Sequence, residues 1–364
     1  MNIIFVIDQL IGGGAAKKLS LIANELSLRG HQVTVATNTH KPIVYPFREE
    51  ISIVTVYKKE SYSKVRIGRM MNVMSSIRKL VNTIQPDVVV SVLPHVSFLT
   101  KLALVGKKIP VVFSDETSFA RKDSIIEGFI RHHLYGFGDA LVVLTENDCK
   151  LLGKKYSHKL AIHNPVEAPK HQYDSILNRK KRIVVVGQTN RWEIKGLDIA
   201  IDVWSQVAEK FADWTLSIVG SEEPTSKAYL EQLADSKKVR KQVEFLGFRQ
   251  DIYGVLGDSQ LFMLTSRFEG FSLSLIEALM TGVPCLSFSE HGVVDEVSLG
   301  GKGTVIVPDG DVIEMYNKLE RLLSSSEERE CLSQEGKTVT DAYNPLSIVN
   351  QWENLFDKLI RKKK

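Results

Sequence analysis

Two glutamates spaced eight positions apart, Glu269 and Glu277, are the first candidates for ligand binding. They lie in residues 266–284, where an apolar run ends, a loop carries Glu269 and Gly270, and a helix is predicted to begin near Ser272. The amides and positive dipole of a helix start hold anions such as a diphosphate, and a glycine permits close backbone approach. Glu277 would accept hydrogen bonds from a ribose diol, and Glu269 from sugar hydroxyls. Acidic residues also favour helix starts for dipole reasons alone, so the pair by itself leaves both interpretations open.

A second group of candidates follows the apolar run that ends at Gly187. The loop after this glycine carries Arg191 and Lys195, and a helix is predicted from about Gly196. Two cations at a strand-to-helix junction neutralise a diphosphate, arginine as a planar fork and lysine as a point charge. A solvated basic loop is the alternative.

A third candidate is the glycine-rich turn from the first apolar run into the first helix, which includes Gly12, Gly13 and Gly14. It is similar to a dinucleotide-binding turn, but Lys17 stands where the third glycine belongs. The second strand also ends in VATNTH, without the acidic residue that binds an adenosine ribose. These departures argue against NAD, and the lack of a G-x-x-x-x-G-K-[ST] sequence argues against a P-loop nucleotide hydrolase.

Short apolar runs alternate with segments of helical periodicity along the chain, which predicts parallel α/β sheets. The runs of the first half are IIFVID, HQVTVAT, ISIVTVY, DVVVSV, PVVFSD, ALVVLT and KLAIHNP, and those of the second half are RIVVVG, TLSIVG, VEFLGF, LFMLTS, PCLSFS and GTVIVP. The polar stretch 164–181 between the two series is predicted to be a linker. We therefore predict two Rossmann-like doubly wound domains, 1–168 and 180–344, facing across a cleft, with a C-terminal helix 346–361 packing back on the first domain.

Bulk properties exclude several classes of protein. The chain has 364 residues and a net charge of +4, which is too mild to indicate nucleic acid binding but compatible with phosphates. Its three cysteines match neither a disulfide framework nor a metal site. The N-terminus lacks the features of a signal peptide, and no window is apolar enough to span a membrane. A cytoplasmic protein is expected.

Taken in this order, the motifs resemble the family 4 retaining glycosyltransferases, which have the GT-B fold. The E-x₇-E motif of that family corresponds to Glu269 and Glu277, within S-x-x-E-G-F-x-L-x-x-I-E-A-L-x-x-G-x-P. HGVVDEV is similar to the family's G-G-x-x-E-x-I segment, the N-terminal glycine turn to G-G-A-E-R, and residues 183–196 to V-G-R…K-G. The resemblance covers roughly residues 2–310 and is most specific over 260–310.

The resemblance implies transfer of a sugar from a nucleoside diphosphate sugar with retention at the anomeric carbon. Glu269 and Lys195 would act at the reacting centre, with Glu269 on the donor sugar and Lys195 on the diphosphate. Glu277 would bind the ribose, and Phe248 would line the base pocket. The other substrate-binding residues expected are Gly13, Gly14, Arg191, Gly270, Phe271, Ser272 and Leu273. No cofactor and no metal are implied, because cationic side chains and a helix dipole stabilise the leaving diphosphate.

Three positions depart from the family pattern. Gln188 replaces the arginine that follows Gly187, so Arg191 would have to take over its role. Ala16 replaces the glutamate of G-G-A-E-R. Glu116 replaces the histidine of the S-E-H sequence after the fifth strand, which leaves the acceptor side open; His95 is a candidate substitute, although a structural role fits it better.

Two further segments allow more than one interpretation. Asp309 and Asp311 have the spacing of a metal-binding D-x-D, but their place between a strand and a helix favours capping. Residues 61–84 form a basic segment with near-helical apolar spacing, containing Lys64, Arg66, Arg69, Arg78 and Lys79. This segment predicts either a packed surface helix or a helix that binds anionic lipid headgroups.

The partners expected are therefore a nucleoside diphosphate sugar, a glycan or lipid-linked acceptor and an anionic membrane surface, with no nucleic acid. A UDP-linked hexose or N-acetylhexosamine is favoured as donor by the resemblance, and GDP-mannose remains an alternative. A sugar-nucleotide epimerase of the same fold and a noncatalytic sugar-nucleotide-binding subunit are the competing functions.

Overall fold

The structure, a computed structural model, describes residues 1–11, 13–57, 66–119, 124–156 and 158–363. Gly12, Lys64 and the side chain of Arg66 lie outside the described residues. The chain forms two compact units, the first made of Met1–Pro165 with Tyr343–Lys364 and the second of Val166–Ala342.

The first unit is built on a seven-stranded parallel sheet, with a helix between each pair of successive strands except β2 and β3. Its strands are β1 Asn2–Val6, β2 Gln32–Thr37, β3 Ser52–Thr55, β4 Val88–Val92, β5 Val111–Ser114, β6 Ala140–Val143 and β7 Lys159–Ala161. Its helices are α1 Gly14–Leu28, α2 Arg66–Ile84, α3 Pro94–Ala103, α4 Ile125–Phe129, α5 Glu146–Leu151 and the C-terminal helix, which is designated α14 and spans Pro345–Lys363. The strand order is β3-β2-β1-β4-β5-β6-β7, and every pairing is parallel.

The second unit repeats this plan with six strands. They are β8 Lys180–Val186, β9 Thr215–Val219, β10 Val243–Gly247, β11 Ser259–Leu264, β12 Cys285–Phe288 and β13 Thr304–Val307. The helices are α6 Trp192–Lys195, α7 Leu197–Val207, α8 Pro224–Ser236, α9 Ile252–Gly257, α10 Leu273–Met280, α11 Val293–Val297, α12 Val312–Ser324 and α13 Ser326–Lys337. The order β10-β9-β8-β11-β12-β13 is again all parallel. The predicted fold class, two doubly wound parallel α/β domains, is confirmed.

The core of each unit follows from the continuous apolar runs of its strands. Strands covered by helices on both faces bury nearly every side chain, which is the pattern of β4 and β11. In the first unit α14 packs beside α1 and inserts Trp352 and Phe356 into the core, where both are essentially fully buried. Large aromatic side chains contribute most to burial per residue, so α14 is an integral part of the first unit.

Helix α2 contains residues 66–84 of the basic segment, with its apolar residues on one face and basic residues on another. Val73, Ile77 and Val81 recur at helical spacing and are buried against the sheet. Arg69 and Lys79 lie on the exposed face. The apolar stripe of α2 is therefore used for packing, and of its large apolar side chains in the described residues only Met71 is strongly exposed.

Candidate functional site

The sequence-predicted donor residues collect where the strand order of the second sheet reverses. Strands β8 and β11 are neighbours, but the chain leaves β8 towards β9 on its other side. Two loops therefore diverge from the carboxyl ends of adjacent strands, one carrying Lys195 and the other Glu269. In doubly wound sheets, this switch point is where ligands bind.

Gly196 allows the two loops to approach each other. Its φ is +60°, and a Cβ atom at this position would lie 1.8 Å from the backbone oxygen of Thr265. The Thr265 hydroxyl in turn donates a hydrogen bond of 2.8 Å to the Gly196 carbonyl. Only glycine satisfies both the positive φ and the close approach. The helix predicted to begin at about Gly196 is α7, and the predicted loop before it contains the short helix α6, which ends at Lys195.

Lys195, the last residue of α6, reaches Glu269 across the switch point. Its Nζ lies 2.7 Å from Glu269 Oε1, which also accepts a hydrogen bond of 2.6 Å from the Ser266 hydroxyl. The side chain of Glu269 is 8% exposed and that of Lys195 is 22% exposed. The structure thus brings together, in a partly buried pocket, the cation and the carboxylate that the sequence placed 74 positions apart.

Arg267 joins the same loops on the solvent side. Its backbone N–H donates to the Ile194 carbonyl at 2.8 Å, and its guanidinium holds both oxygens of Asp198 at 2.9 and 2.7 Å. Asp198 raises the pKa of Arg267 because the charged guanidinium donates both of these hydrogen bonds to the carboxylate. Arg267, which the sequence reasoning missed, fixes the loop before Glu269 from outside.

Helix α10 begins at the residue that the sequence indicated. Ser272 precedes Leu273 with a left-handed backbone, φ +49°, so the first-turn amides of α10 face out of the helix end. The Ser272 hydroxyl is buried and has no hydrogen-bond partner among the described residues. An unsatisfied buried hydroxyl beside helix amides is poised to bind a ligand oxygen, because leaving it unpaired is costly. Gly270 and Phe271 lie in the loop that leads to it.

Glu277 is buried within α10 and lies close to Tyr253 of α9. Burial and the negative charges of Glu277 and Glu167 hold the pKa of Tyr253 well above its usual range. The Tyr253 hydroxyl therefore stays protonated, and it donates a hydrogen bond of 2.5 Å to the Glu167 carbonyl. Glu277 is thus a buried carboxylate beside this hydroxyl, and a carboxylate accepts hydrogen bonds.

Two predicted binding residues are exposed in this structure. Arg191 ends a 3₁₀ turn after β8, and its side chain is exposed. Gln188, which precedes this turn, is also exposed. Phe248 follows β10 and is 63% exposed. A large exposed aromatic side chain at the carboxyl edge of the sheet offers a stacking face for a base.

A turn after β12 brings a second carboxyl group near the Lys195–Glu269 pair. Glu290 is buried, and the backbone N–H groups of Glu290 and His291 donate to the two oxygens of Asp309 at 2.6 and 3.0 Å. Burial, together with the nearby charges of Glu269 and Asp309, raises the pKa of Glu290 to about 8. Sequence reasoning missed Glu290, since a glutamate without a motif gives no signal of burial.

The first unit places Gly13 and Gly14 at the start of α1. Gly13 has a φ of +90°, and both glycines are exposed. One turn further on, Lys18 is buried and its Nζ lies 2.7 Å from Glu116 Oε1 and 3.2 Å from the Ser114 hydroxyl. Ser114 donates a hydrogen bond of 2.7 Å to the same Glu116 oxygen.

The carboxylate that stands in the place of the family's histidine is therefore engaged in a buried ion pair. The second oxygen of Glu116 has no hydrogen-bond partner in the part of the chain that the structure describes. The neighbouring Asp115 is equally buried, but it is bound by Arg131 at 2.8 Å and by the Tyr135 hydroxyl at 2.7 Å. Asp115 thus holds the loop after β5 in place, while the second oxygen of Glu116 can still accept a hydrogen bond.

The remaining candidates have simple structural roles. Asp311 caps α12 by accepting the Glu314 N–H at 2.9 Å, which confirms the capping interpretation for that residue. Asp309 instead binds the turn at Glu290, as described above. Within the described residues, no group of three or more His, Cys, Asp or Glu side chains is arranged to hold a metal ion, and no helix is long and apolar enough to cross a membrane. His95 is exposed at the start of α3.

Comparison with known proteins matches both units to family models. Residues 12–168 match the model described as Glycosyltransferase Family 4, and residues 169–339 match that described as Glycosyl transferases group 1. Together the two models account for nearly the whole chain.

Relatives of similar length extend this result. An uncharacterized glycosyltransferase of Haemophilus influenzae is 25% identical over 96% of this chain and 98% of its own. The GalNAc-α-(1→4)-GalNAc-α-(1→3)-diNAcBac-PP-undecaprenol α-1,4-N-acetyl-D-galactosaminyltransferase of Campylobacter jejuni is 23% identical, covering 98% of each chain. The structure of Anabaena HepE in complex with UDP and glucose superposes with a TM-score of 0.80 at 16% identity, covering 98% of this chain and all of the other. The predicted GT-B fold is confirmed.

Proposed function

Because the chain belongs to the glycosyltransferases, with a family 4 domain followed by a group 1 domain, we propose that it transfers a sugar from a nucleoside diphosphate sugar. The donor is a UDP-hexose or UDP-N-acetylhexosamine, and the acceptor is a glycan or lipid-linked glycan in surface polysaccharide synthesis. The observation that carries this proposal is the Lys195–Glu269 pair beside the start of α10. The UDP in the Anabaena structure and the lipid-linked substrate in the Campylobacter enzyme's name support the choice of substrates.

The proposed chemistry uses charge that is already in place. The Lys195 ammonium and the first amides of α10 bind the diphosphate and stabilise the negative charge that develops as the C1–O bond breaks. The acceptor hydroxyl attacks the same face of the sugar, so configuration is retained, and its proton passes to the leaving phosphate. When the phosphate pairs with Lys195, Glu269 loses part of its ion pair with that lysine. Its carboxylate then accepts hydrogen bonds from the sugar hydroxyls. The cation and the helix dipole together stabilise the charge that a metal ion stabilises in metal-dependent enzymes. Metal-independent transfer is therefore part of the proposal.

The remaining contacts follow the arrangement of the second unit. Glu277 accepts hydrogen bonds from the ribose, and the buried Ser272 hydroxyl donates to the sugar or phosphate. Phe248 stacks on the base, and Arg191 provides a second cation for the diphosphate in place of the arginine that Gln188 replaces. In the first unit, Gly13 and Gly14 present backbone amides on the acceptor side.

A nucleotide panel tests the donor site directly. We expect UDP and one UDP-sugar to raise the melting temperature of the wild-type protein, with no change on adding EDTA, while GDP, ADP and TDP have smaller effects. Millimolar ligand at about a hundred times its Kd would stabilise by about 2.7 kcal/mol. Loss of the effect in EDTA would contradict metal independence. Stabilisation by none of the nucleotides would favour a noncatalytic subunit, and conversion of the UDP-sugar alone into an epimer would favour an epimerase.

We further propose that the protein works at the cytoplasmic surface of an anionic membrane. Helix α4 exposes three large apolar side chains, with Ile125 at 93%, Ile126 at 54% and Phe129 at 57%. Apolar side chains on one short surface helix lower their free energy by entering the headgroup region, and basic side chains of the same unit, such as Arg69, attract anionic lipids.

Co-sedimentation with anionic vesicles at low salt measures this attachment. The wild-type protein is expected to bind, and the double replacement of Ile125 and Phe129 by serine is expected to reduce binding by at least about thirtyfold, since each buried apolar side chain contributes roughly 1 kcal/mol or more. Ile313→Ser, at an equally exposed position of the second unit, serves as the control. The proposal fails if the wild-type protein does not bind even to strongly anionic vesicles.

A further inference from the structure

An exposed pair of aromatic rings belongs to the loops around the donor site. Phe268, which directly precedes Glu269, stacks on His291 in the turn after β12, with ring centroids 6.3 Å apart and ring planes inclined by 28°. Phe268 is 36% exposed, and the side chain of His291 is 49% exposed. Both rings therefore keep part of their surface in contact with solvent at the donor loop.

The backbone that carries His291 has an uncommon conformation. Glu290, His291 and Gly292 have successive φ values of +50°, +55° and +89°, and the left-handed region is unfavourable for the first two. Asp309 enforces this conformation, because its two oxygens accept the N–H groups of Glu290 and His291 at 2.6 and 3.0 Å. The same carboxylate lies 3.3 Å from Nδ1 of the His291 ring. Asp309 thus fixes both the backbone and the ring of His291.

Stability does not explain why a histidine stands at this position. A glycine would adopt the left-handed backbone without strain, and the family pattern G-G-x-x-E-x-I, which HGVVDEV resembles, has a glycine here. The histidine ring is half exposed, and its ion pair with Asp309 is exposed as well, so both contribute little to folding. Strained residues of this kind concentrate at functional sites. The exposed ring therefore indicates a role in binding a ligand.

The groups beside the two rings select the class of ligand. The faces of aromatic rings cover apolar C–H surface, and the neighbouring carboxylates of Glu269 and Asp309 accept hydrogen bonds from hydroxyl groups. The negative charge of Asp309 against the His291 ring disfavours an anion at this place. A hexopyranose ring meets these conditions, because its hydroxyl groups surround a face of C–H groups and it carries no charge.

We propose that Phe268 and His291 form a sugar-binding platform at the edge of the donor site, on which the face of one hexopyranose ring rests. The inference rests on the proposed function, since the donor and the acceptor of a glycosyl transfer both supply such a ring. Asp309 is the positioning residue of the platform. The platform adds two aromatic residues to a site that otherwise consists of charged groups and helix amides.

Titration calorimetry tests the donor as the source of the sugar ring. The probes are UDP, UDP-glucose, UDP-galactose, UDP-N-acetylglucosamine and UDP-N-acetylgalactosamine. If the donor sugar rests on the platform, Phe268→Ser and His291→Gly raise the Kd of the tightest-binding UDP-sugar about three- to tenfold, the effect of losing one aromatic contact. The Kd of UDP itself is expected to stay within about twofold of the wild type, because UDP lacks the sugar ring.

Saturation-transfer NMR on the protein saturated with UDP tests the acceptor as the source. The probes are the methyl α-glycosides of the same four sugars. If the acceptor sugar rests on the platform, the ring C–H signals of one glycoside receive saturation from the wild-type protein. In both variants this saturation is expected to be at least about threefold weaker.

Melting temperatures separate the platform from a purely structural role. In His291→Gly, relief of the left-handed strain offsets the greater freedom of the unfolded chain, so Tm is expected to stay within about 2 °C of the wild type. Lys238→Gly is the matched control, because Lys238 is also exposed and has a φ of +61°. It is expected to show the same small change in Tm, with sugar binding unaltered.

Two results would overturn the platform while leaving the proposed function intact. One is wild-type UDP binding together with unchanged sugar binding in both variants and both assays. The other is a Tm of His291→Gly far below that of Lys238→Gly, which would show that the ring serves the fold. Failure of the wild-type protein to bind UDP or any of the UDP-sugars would instead overturn the proposed function itself.

Discussion

Replacing Lys195 by alanine is expected to lower kcat/KM with the UDP-sugar by about 10²- to 10³-fold, the usual loss when one group that stabilises the developing charge is removed. Two effects combine in this variant. The diphosphate loses its closest cation, and Glu269 loses the partner that holds it at 2.7 Å. Steady-state kinetics together with UDP titration separate them, because loss of ground-state binding raises Kd, while loss at the transition state lowers kcat.

The matched control is Lys210→Ala, which removes a lysine from an ion pair of 2.6 Å with Glu320 in the same unit. That pair is exposed, so its loss is expected to change stability by less than about 1 kcal/mol and to leave the kinetics unchanged. Wild-type kinetics in Lys195→Ala would exclude this lysine from the active site. Partial recovery in Lys195→Arg would indicate that charge matters more than its exact placement.

The second large effect is expected from adding one methyl group at Gly196. Gly196→Ala places a Cβ atom 1.8 Å from the Thr265 carbonyl oxygen at a φ of +60°, so the loops after β8 and β11 have to separate. We expect a loss of about 3 kcal/mol in the free energy of unfolding, from overpacking and left-handed strain together, or roughly 6–12 °C in Tm for a unit of this size. Nucleotide affinity is expected to fall as well, because the Lys195–Glu269 pair spans these two loops.

Gly30→Ala isolates the contribution of the clash. Gly30 also has a positive φ, +81°, but no atom lies within 4 Å of a Cβ built there. This variant is expected to cost only the left-handed strain, about 1 kcal/mol, and to leave nucleotide binding unchanged. Equal melting temperatures for the two alanine variants would show that the approach of Gly196 to Thr265 is unimportant.

The sequence predicts the strands and the local parts of the site because these depend on neighbouring residues. Each of the thirteen apolar runs overlaps one of the strands, and α10 begins immediately after Ser272, where the motif indicated. The loop before α10, with Glu269 and Gly270, is likewise a local feature. Buried parallel strands are unbroken apolar runs, so they are among the clearest patterns to recognise.

Contacts between distant positions were not predictable in this way. The pairing of Lys18 with Glu116 joins positions 98 apart, and neither residue belongs to a motif from which the other could be inferred. The left-handed turn at Glu290 is still harder to foresee, because a glutamate is not a residue that signals positive φ. In both cases the tertiary environment, rather than local propensity, determines the conformation.

The placement of Trp352 on α14 has a spectroscopic consequence. Of the four tryptophans, Trp192, Trp204 and Trp214 belong to the second unit, so Trp352 is the sole indole fluorophore of the first. Its ring is buried 5.4 Å from the Lys18 ammonium, close to the Lys18–Glu116 pair. The emission that disappears in Trp352→Phe therefore reports on the first unit alone, and the emission that remains reports on the second. Denaturation followed by these two emission signals measures whether the two units unfold together or separately, without any added label.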